Sequence, residues 1–309
     1  MHYNRAVSVP KGSPKPRGTT VIAAGRPRVT LSPAMPSFAR YLNPLALASR
    51  LWTARGLIAQ FTRREIEGRY RSSMLGLAWS FINPLALLLV YTFVFGVILR
   101  QRWPGLPAEG LGQFGLVLFA GLIAFGIFSE CVGRAPGLIV STPNYVKRVV
   151  FPLELLPVSV LGSALFHAVI SLAVLLVAHL ALGGPVRASW LLIPIVLAPV
   201  VFLSLGLLWT FASLGVFIRD LGYSVALVVQ ILFFLTPIFY PVEAVPSAFR
   251  SVVNLNPLSS VIAALRVAIF GGPLTVWPAL LASTAVGLFV MLLGYAWFMR
   301  TRRAFGDVI

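Results

Sequence analysis

Long apolar stretches separated by short charged segments dominate the hydrophobic pattern of the chain. A helix that crosses the core of a bilayer needs about 20 apolar residues, and six stretches reach that length. They lie at approximately 74–99, 111–133, 155–182, 188–218, 221–242 and 274–299. Only Arg219 and Asp220 separate the fourth stretch from the fifth, so these two spans are expected to be antiparallel neighbours. The pattern predicts an all-α integral membrane protein with six transmembrane helices.

The composition excludes an ordinary soluble domain. The 309 residues are 58% hydrophobic and 11% charged, whereas charged residues make up about a quarter of a typical soluble protein. A net charge of +17 would suit nucleic acid, but the basic residues lie at the chain ends and between the apolar stretches. That placement is typical of membrane topology.

The distribution of lysine and arginine predicts the orientation. With the N-terminus inside, 20 of the 25 basic residues lie in cytoplasmic segments and five lie outside. Without residues 1–43 the ratio is still 13 to five. Because cytoplasmic loops carry the excess of basic residues, both termini are predicted to lie in the cytoplasm.

The segment before the first span has the pattern of an amphipathic helix that lies on the membrane surface. Apolar side chains recur every three or four positions, which places them on one helical face. The stripe consists of Leu47, Leu51, Ala54, Ile58 and Phe61. Arg50 and Arg55 flank it, and their charges can reach water. The sequence predicts an interface helix over 45–64, and a soluble helix without a membrane contact is the alternative.

Two short apolar helices are predicted between the fifth and sixth spans. The pieces Pro246–Asn254 and Pro257–Phe270 each begin with proline, which favours the first turn of a helix, and Asn256-Pro257 separates them. Both are too short to cross a bilayer, which is typical of re-entrant or interfacial helices. A gate at the outer mouth of a pathway and a simple packing cap both fit this pattern.

The loop between the second and third spans, Pro136–Pro157, is longer than a chain reversal needs. It contains a helix-sized piece, Pro143–Pro152, with Lys147 and Arg148. The size suggests docking onto something in the cytoplasm, and a charged loop without a partner is the alternative.

Residues 1–43 are rich in proline and basic residues and have no apolar core. They are predicted to form a disordered basic extension, followed by a transmembrane domain over 44–309. Binding of anionic lipid by the extension is the alternative to a solvated tail.

Catalytic chemistry is not visible in the sequence. The eight acidic residues form no clustered pair that would hold magnesium and a diphosphate, which argues against a membrane glycosyl- or prenyltransferase. A phosphate-binding loop ends in Gly-Lys-Ser/Thr, but no lysine of this chain follows a glycine. No catalytic residue and no metal site is predicted. If ATP drives the protein, another chain must bind it.

Few ionisable groups lie within the predicted spans. Glu130 and Arg134 are four residues apart in the order that favours a helical pair, and they are interpreted as a structural or hinge pair, with proton coupling as the alternative. His167 and His179 lie in the third span and are interpreted as groups that hydrogen-bond to other helices. A proton-driven carrier would place more ionisable groups in the bundle.

Aromatic residues gather in the first and fifth spans. Aromatic rings can stack on the CH faces of sugar rings, so these side chains are candidates for a glycan path, while packing or contact with lipid is the alternative. The candidates are Trp79, Tyr91, Phe95, Phe233, Phe234, Phe239 and Tyr240.

Several runs of sequence together resemble the membrane subunits of ABC-type polysaccharide exporters, the family of O-antigen, capsule and teichoic-acid export permeases. The resemblance covers about residues 45–309. The runs are Arg64–Pro84, Asn144–Pro157, Phe217–Leu221, Thr236–Pro241 and Asn256–Leu258.

The resemblance implies a homodimer in the bacterial inner membrane with two copies of a separate ATPase subunit, which would bind ATP and magnesium. It implies three sets of site residues. The coupling segment that contacts the ATPase would include Asn144, Tyr145, Val146, Lys147, Arg148, Val149 and Phe151. The interface helix would present Leu51, Arg55, Ile58, Phe61, Arg64 and Glu65. The outer gate would include Pro246, Asn256 and Pro257.

The function implied is export of a polysaccharide or lipid-linked glycan from the cytoplasmic side, driven by the partner ATPase. A stand-alone channel or secondary carrier is the alternative. It would transport without any ATPase.

Overall fold

A computed structural model of the chain describes residues 41–71, 73–99, 113–146, 152–272 and 274–308. These residues form helices and connecting turns, with no β-strand among them, which confirms the all-α prediction. The predicted N-terminal extension lies outside the described residues as far as position 40. The α-helices within the described ranges are α1 (Pro44–Thr53), α2 (Arg55–Tyr70), α3 (Trp79–Tyr91), α4 (Gln113–Arg134), α5 (Pro143–Val146), α6 (Leu155–Ala181), α7 (Ile193–Phe217), α8 (Leu221–Leu235), α9 (Ser247–Leu255), α10 (Pro257–Phe270), α11 (Trp277–Thr301) and α12 (Phe305–Val308).

Five helical stretches of the described chain are long and apolar enough to cross a membrane. A tight turn at Gly76–Ala78 and a π-helical end at Thr92–Ile98 extend α3 into the first of them. The five stretches are Gly76–Ile98, Gln113–Arg134, Leu155–Ala181, Ala188–Phe217 and Trp277–Val308. The pair α9 and α10 reaches the length of a sixth if both are taken as one span bent by 87°.

The helix in the predicted fifth span, 221–242, is shorter than the apolar run from which it was predicted. Helix α8 ends at Leu235 after 15 residues. Thr236 precedes Pro237 and adopts extended backbone, with ψ at 136°, because a residue before proline is crowded out of the helical region. Its hydroxyl donates to the carbonyl oxygen of Leu232 at 2.6 Å. The prediction of one helix from 221 to 242 is therefore wrong beyond Leu235.

The segment predicted as one interface helix divides into α1 and α2. The Asn43 side chain accepts hydrogen bonds from the backbone N–H groups of Leu45 and Ala46 at 3.0 and 3.2 Å, which caps the start of α1. The helix breaks at Ala54, where ψ is 6°. The Arg55 guanidinium donates to the carbonyl oxygen of Trp52 at 3.1 Å, a bond that satisfies one carbonyl at the end of α1. Helix α2 then continues past position 64 to Tyr70.

The two short helices predicted after the fifth span are present as α9 and α10. Asn256 lies at the bend between them and caps α10 by accepting from the N–H of Leu258 at 3.0 Å. Its amide nitrogen donates to the Thr236 hydroxyl at 2.9 Å. One side chain thus joins the start of α10 to the end of α8.

The core lies around α4, which packs against α3, α6, α7, α8 and α10 and is mostly buried. Helices α7 and α11 form the most extensive pair. Glycines allow these two backbones to approach closely, as in other membrane helix pairs. A Cβ atom at Gly294 would overlap the carbonyl oxygen of Gly206, and one at Gly287 would lie 2.7 Å from the carbonyl oxygen of Pro199.

Replacing Gly294 with alanine is expected to lower the free energy of unfolding by about 3 kcal/mol, because the added methyl group must push α7 and α11 apart. Gly133→Ala is the matched control, since no atom lies within 4 Å of a Cβ at Gly133. The melting temperatures of both variants in detergent check this. Equal melting temperatures would contradict the close contact at Gly294.

Candidate functional site

Two of the predicted segments meet at one end of the bundle, the end that carries α1, α2, α5 and α12 and is called the basic end below. Helix α2 packs on α6. The Phe61 ring lies 5.6 Å from the Tyr145 ring in an edge-to-face contact. Arg64 donates a hydrogen bond to the Tyr145 hydroxyl and lies over the same ring at 5.9 Å. Phe61 and Arg64 of the predicted interface helix therefore contact α5, the described start of the predicted coupling segment.

The other predicted interface residues divide between the core and the surface. Leu51 and Ile58 are half-buried, and Leu51 packs against the hydrophobic core. Arg55 is exposed and lies over the Trp52 ring at 5.1 Å. Leu51 and Ile58 thus turn towards the bundle, while Arg55 faces outward.

The coupling segment is described only in part. Asn144 is exposed and Tyr145 is half-buried, while Val146 is the last residue of α5. The remaining predicted positions, Lys147, Arg148, Val149 and Phe151, lie outside the described residues. Contact of this segment with an ATPase stays a prediction.

Glu130 lies at the centre of a polar network that joins α2, α4 and α6. Its carboxylate is 3.1 Å from Nη1 of Arg69 and 3.3 Å from Nδ1 of His167. The Tyr70 hydroxyl is 3.0 Å from Nε2 of the same histidine. Arg134, the predicted partner of Glu130, is farther away at 3.9 Å and donates instead to Glu65 of α2. The predicted pair therefore belongs to a larger network.

His167 can hold this network in two arrangements. Its Nδ1 atom faces both the Arg69 guanidinium at 2.8 Å and the Glu130 carboxylate at 3.3 Å. A guanidinium only donates and a carboxylate only accepts. A proton on Nδ1 therefore favours the bond to Glu130, and a proton on Nε2 favours the bond from Arg69. His167 joins helices as expected from the sequence, and its chemistry allows a change of partner.

A cavity of about 240 Å³ opens beside this network, between α2, α3, α4 and α6. Both polar and apolar side chains line it, and each of the four helices contributes polar groups. Trp79, a predicted glycan contact, lines it, and its indole N–H donates to the Ser73 hydroxyl at 2.8 Å. The polar lining comprises Arg69, Tyr70, Ser80, Asn83, Glu130, His167 and Ser171. The sequence placed Trp79 on a glycan path but did not indicate the cavity, which four separate segments form.

The other predicted aromatic residues gather at the opposite end of the bundle. Phe239 lies at their centre, with ring centroids 5.1 Å from Phe233, 5.8 Å from Phe95, 6.3 Å from Tyr91 and 6.4 Å from Phe234. The aromatic residues of the first and fifth predicted spans therefore form one cluster, from which Trp79 is absent.

Tyr240 and the predicted gate residues stabilise the ends of helices near this cluster. The Tyr240 hydroxyl donates to the carbonyl oxygens of Phe234 and Leu235 at 3.0 Å, which satisfies the last turn of α8. Pro246 precedes α9, and Pro257 is the first residue of α10. An apolar pocket of about 470 Å³ lies between the end of α8 and α9.

Arg266 of α10 is one of the five basic residues that the charge distribution assigns to the outside, but its side chain lies in the interior, 5% exposed. Its guanidinium donates to the carbonyl oxygens of Val117 at 3.0 Å, Pro237 at 2.8 Å and Ile238 at 2.7 Å. The side chain therefore joins α10 to α4 and to the chain that follows α8. The sequence signal for this buried position was an arginine within an otherwise apolar helix.

Glu154 is the second residue that the sequence did not single out. Its carboxylate is 1% exposed and contacts Arg50 of α1 and Arg302 near the C-terminus. The one indication in the sequence that the Glu154 carboxylate is buried was its position beside apolar residues in the run Asn144–Pro157.

Replacing Glu65 with glutamine is expected to lower the free energy of unfolding by about 1 kcal/mol, because the bond from Arg134 loses its ionic character while both side chains stay partly exposed. The control is Glu67→Gln. Glu67 pairs with Arg63 on the surface of α2 and raises the pKa of that guanidinium by accepting its hydrogen bond. Melting in detergent should separate the two variants, and an equal response would show that Glu65 acts as a surface residue.

Comparison with known proteins gives consistent matches. Residues 57–270 match the ABC-2 type transporter family. The O-antigen export system permease protein RfbA of Myxococcus xanthus is 31% identical over 267 residues, which cover 86% of this chain and 100% of that protein. An RfbA protein of Klebsiella pneumoniae is 27% identical over 254 residues, 82% of this chain and 95% of that protein. The polysialic acid transport protein KpsM of Escherichia coli is 26% identical over 240 residues, 77% and 90% of the two chains.

Proposed function

The chain belongs to the ABC-2 type transporter family and is a multi-pass inner-membrane protein, and on that premise we propose that it is the permease subunit of an ATP-driven exporter. The cargo proposed is a polysaccharide or lipid-linked glycan. The observation that carries this proposal is the match to export permeases over more than four-fifths of this chain and nearly the whole length of each relative. The α2–α5 contact, the polar cavity and the aromatic cluster lie within residues 57–270, which match the transporter family.

The proposed topology has six membrane segments and both termini in the cytoplasm. The excess of basic residues in the segments at the basic end supports this orientation. Helix α8 is the fifth segment in this arrangement, and α9 and α10 are re-entrant helices at the outer face. Non-helical backbone such as the bend at Asn256 is tolerated at membrane depth when it is buried in protein or lines a cavity, and Asn256 is hydrogen-bonded on both sides.

The energy source proposed is a separate P-loop ATPase, present in two copies, that binds ATP and magnesium. It would dock on the coupling segment at the basic end. The contacts of Phe61 and Arg64 with Tyr145 support this, because they give the segment a direct route to α2. Movement of α5 would then reach the first membrane segment, which follows α2 in the chain.

We place the glycan path between two copies of the chain. Many large apolar side chains of α3 and α8 are exposed on the single chain, including Phe81, Leu85, Leu227 and Ile231, so these helices offer surface to a second copy. The aromatic cluster around Phe239 joins the end of the first membrane segment to α8 and the chain that follows it, and it would provide rings on which sugars stack. Helices α9 and α10 would close this path at the outer face.

The chain itself would form no covalent bond with its cargo. It supplies the passage, and the partner hydrolyses ATP. A stand-alone carrier remains the competing function, and the Glu130–His167 contact is the feature that a proton-coupled carrier would use.

Purification of the tagged chain in mild detergent, followed by mass spectrometry of the eluate, tests the proposal. A P-loop ATPase in equal amount is the expected result. An intact dimer that elutes without any ATPase would favour the stand-alone carrier.

A further inference from the structure

A buried carboxylate joins distant parts of the chain at the basic end. The two oxygens of Glu154 are shared between two arginines: Oε1 accepts from Arg50 and Oε2 from Arg302, the latter at 2.8 Å. The carboxylate is 1% exposed, whereas both arginines are partly exposed. One carboxylate therefore holds α1, the start of α6 and the C-terminal end of α11.

The backbone of the same residue is also fixed. The indole N–H of Trp209, a fully buried residue of α7, donates to the Glu154 carbonyl oxygen at 3.0 Å. The Trp209 ring packs against Tyr295 of α11 at 5.1 Å, and Tyr295 in turn contacts Tyr41 before α1 at 6.2 Å. These residues, Tyr41, Arg50, Glu154, Trp209, Tyr295 and Arg302, are called the Glu154 junction.

Stability alone does not account for a charge at this position. Removing a carboxylate from water is costly, and a buried ion pair is often no more stabilising than apolar residues of similar volume. The benefit of the charge is geometric, because both arginines can reach the carboxylate only in one arrangement of α1, α6 and the C-terminal end. The junction also lies directly after the coupling segment in the sequence, since Glu154 follows Pro152 by two residues.

We infer that Glu154 is a positioning residue for transport, which passes movement of the coupling segment to α1 and α11 as one unit. The inference rests on the proposed function. Without the charge, displacement of the chain before α6 would no longer pass through this carboxylate to Arg50 of α1 and to Arg302 at the C-terminal end. ATP hydrolysis on the partner would continue while export of the cargo would fall.

The test uses the full chain with its ATPase in proteoliposomes, and measures ATP hydrolysed and glycan exported on the same samples. In Glu154→Gln, hydrolysis should stay within about twofold of the parent while export falls about tenfold, the scale of an ordinary coupling free energy. Arg50→Met and Arg302→Met should each lower the ratio of export to hydrolysis by a smaller factor. Glu154→Asp, which keeps the charge, should restore part of the ratio.

Glu67→Gln is the control, because Glu67 forms an exposed pair with Arg63 at the same end of the bundle and should leave the ratio unchanged. A merely structural role would reduce hydrolysis and export in proportion, and that result would overturn the inference. Unchanged export in Glu154→Gln would overturn it as well. If Glu154→Gln does not fold, the ratio in the two arginine variants decides between these results. Absence of ATP-dependent export by the parent complex would instead refute the proposed function.

Discussion

Replacing Lys147 and Arg148 with glutamate is expected to reduce glycan export at least about tenfold while the chain still inserts and the partner still hydrolyses ATP. These two residues are the cations of the predicted coupling segment. Lys147 and Arg148 are proposed to pair with acidic groups of the partner, so that reversing both charges replaces attraction with repulsion, and like charges across an interface are strongly unfavourable. Export and ATP hydrolysis by the reconstituted complex are the measurements.

The matched control is the Lys11→Glu, Lys15→Glu double variant, which makes a charge change of similar size in the N-terminal extension. It should export at the rate of the parent, because the extension is predicted from the sequence to lie outside the transmembrane domain and outside the coupling segment. Normal export by the Lys147→Glu, Arg148→Glu variant would show that these two side chains do not take part in coupling. An equal loss of export in both double variants would show that the total charge of the chain, rather than the coupling segment, causes the effect.

Replacing Arg266 with methionine is expected to lower the free energy of unfolding by several kcal/mol. The guanidinium donates to three carbonyl oxygens, and each buried acceptor left without a partner costs about 1–3 kcal/mol. Arg266→Lys should lie between the parent and Arg266→Met, because an ammonium group lacks the planar fork that reaches several carbonyls at once. The melting temperature of the purified chain in detergent checks this order.

Arg250→Met is the matched control. Arg250 also donates to two backbone carbonyl oxygens, those of Val245 at 2.7 Å and Glu243 at 2.8 Å. It is exposed, so water can replace the guanidinium and the change should be small. If Arg250→Met and Arg266→Met melt at the same temperature, Arg266 does not anchor α10 to α4 and to the chain that follows α8.

The sequence was sufficient to predict the long helices but not every residue at which they end. Apolar runs of about 20 residues can only be helices in a bilayer core, so five of the six predicted spans correspond to long helices. The fifth prediction failed at its end because Ile238, Phe239 and Tyr240 continue the apolar run after Pro237. Hydropathy does not register the loss of helical geometry before a proline.

The break at Ala54 shows the same limit in the interface helix. The apolar stripe continues through Leu51, Ala54 and Ile58 without a proline, so periodicity predicts one helix. The structure ends α1 at Thr53, with the Arg55 guanidinium bonded to the carbonyl oxygen of Trp52. The hydrophobic pattern cannot predict a local hydrogen bond of this kind.

Contacts between distant segments were the part of the site that the sequence could not supply. Arg64 and Tyr145 were assigned to separate predicted segments and are 81 positions apart, yet they form a hydrogen bond. Glu154 and Arg266 were missed for the same reason. A charge within apolar sequence can face water, lipid headgroups or a buried partner, and only packing decides between them.

ATP-dependent export by the purified chain and its partner ATPase in proteoliposomes is the most direct measurement of the central claim, that this chain is the passage of an ATP-driven glycan exporter. The account predicts glycan accumulation that requires ATP and stops when the partner is omitted or carries an inactive phosphate-binding loop. Transport at the same rate by the chain alone, without ATPase or ATP, would contradict it.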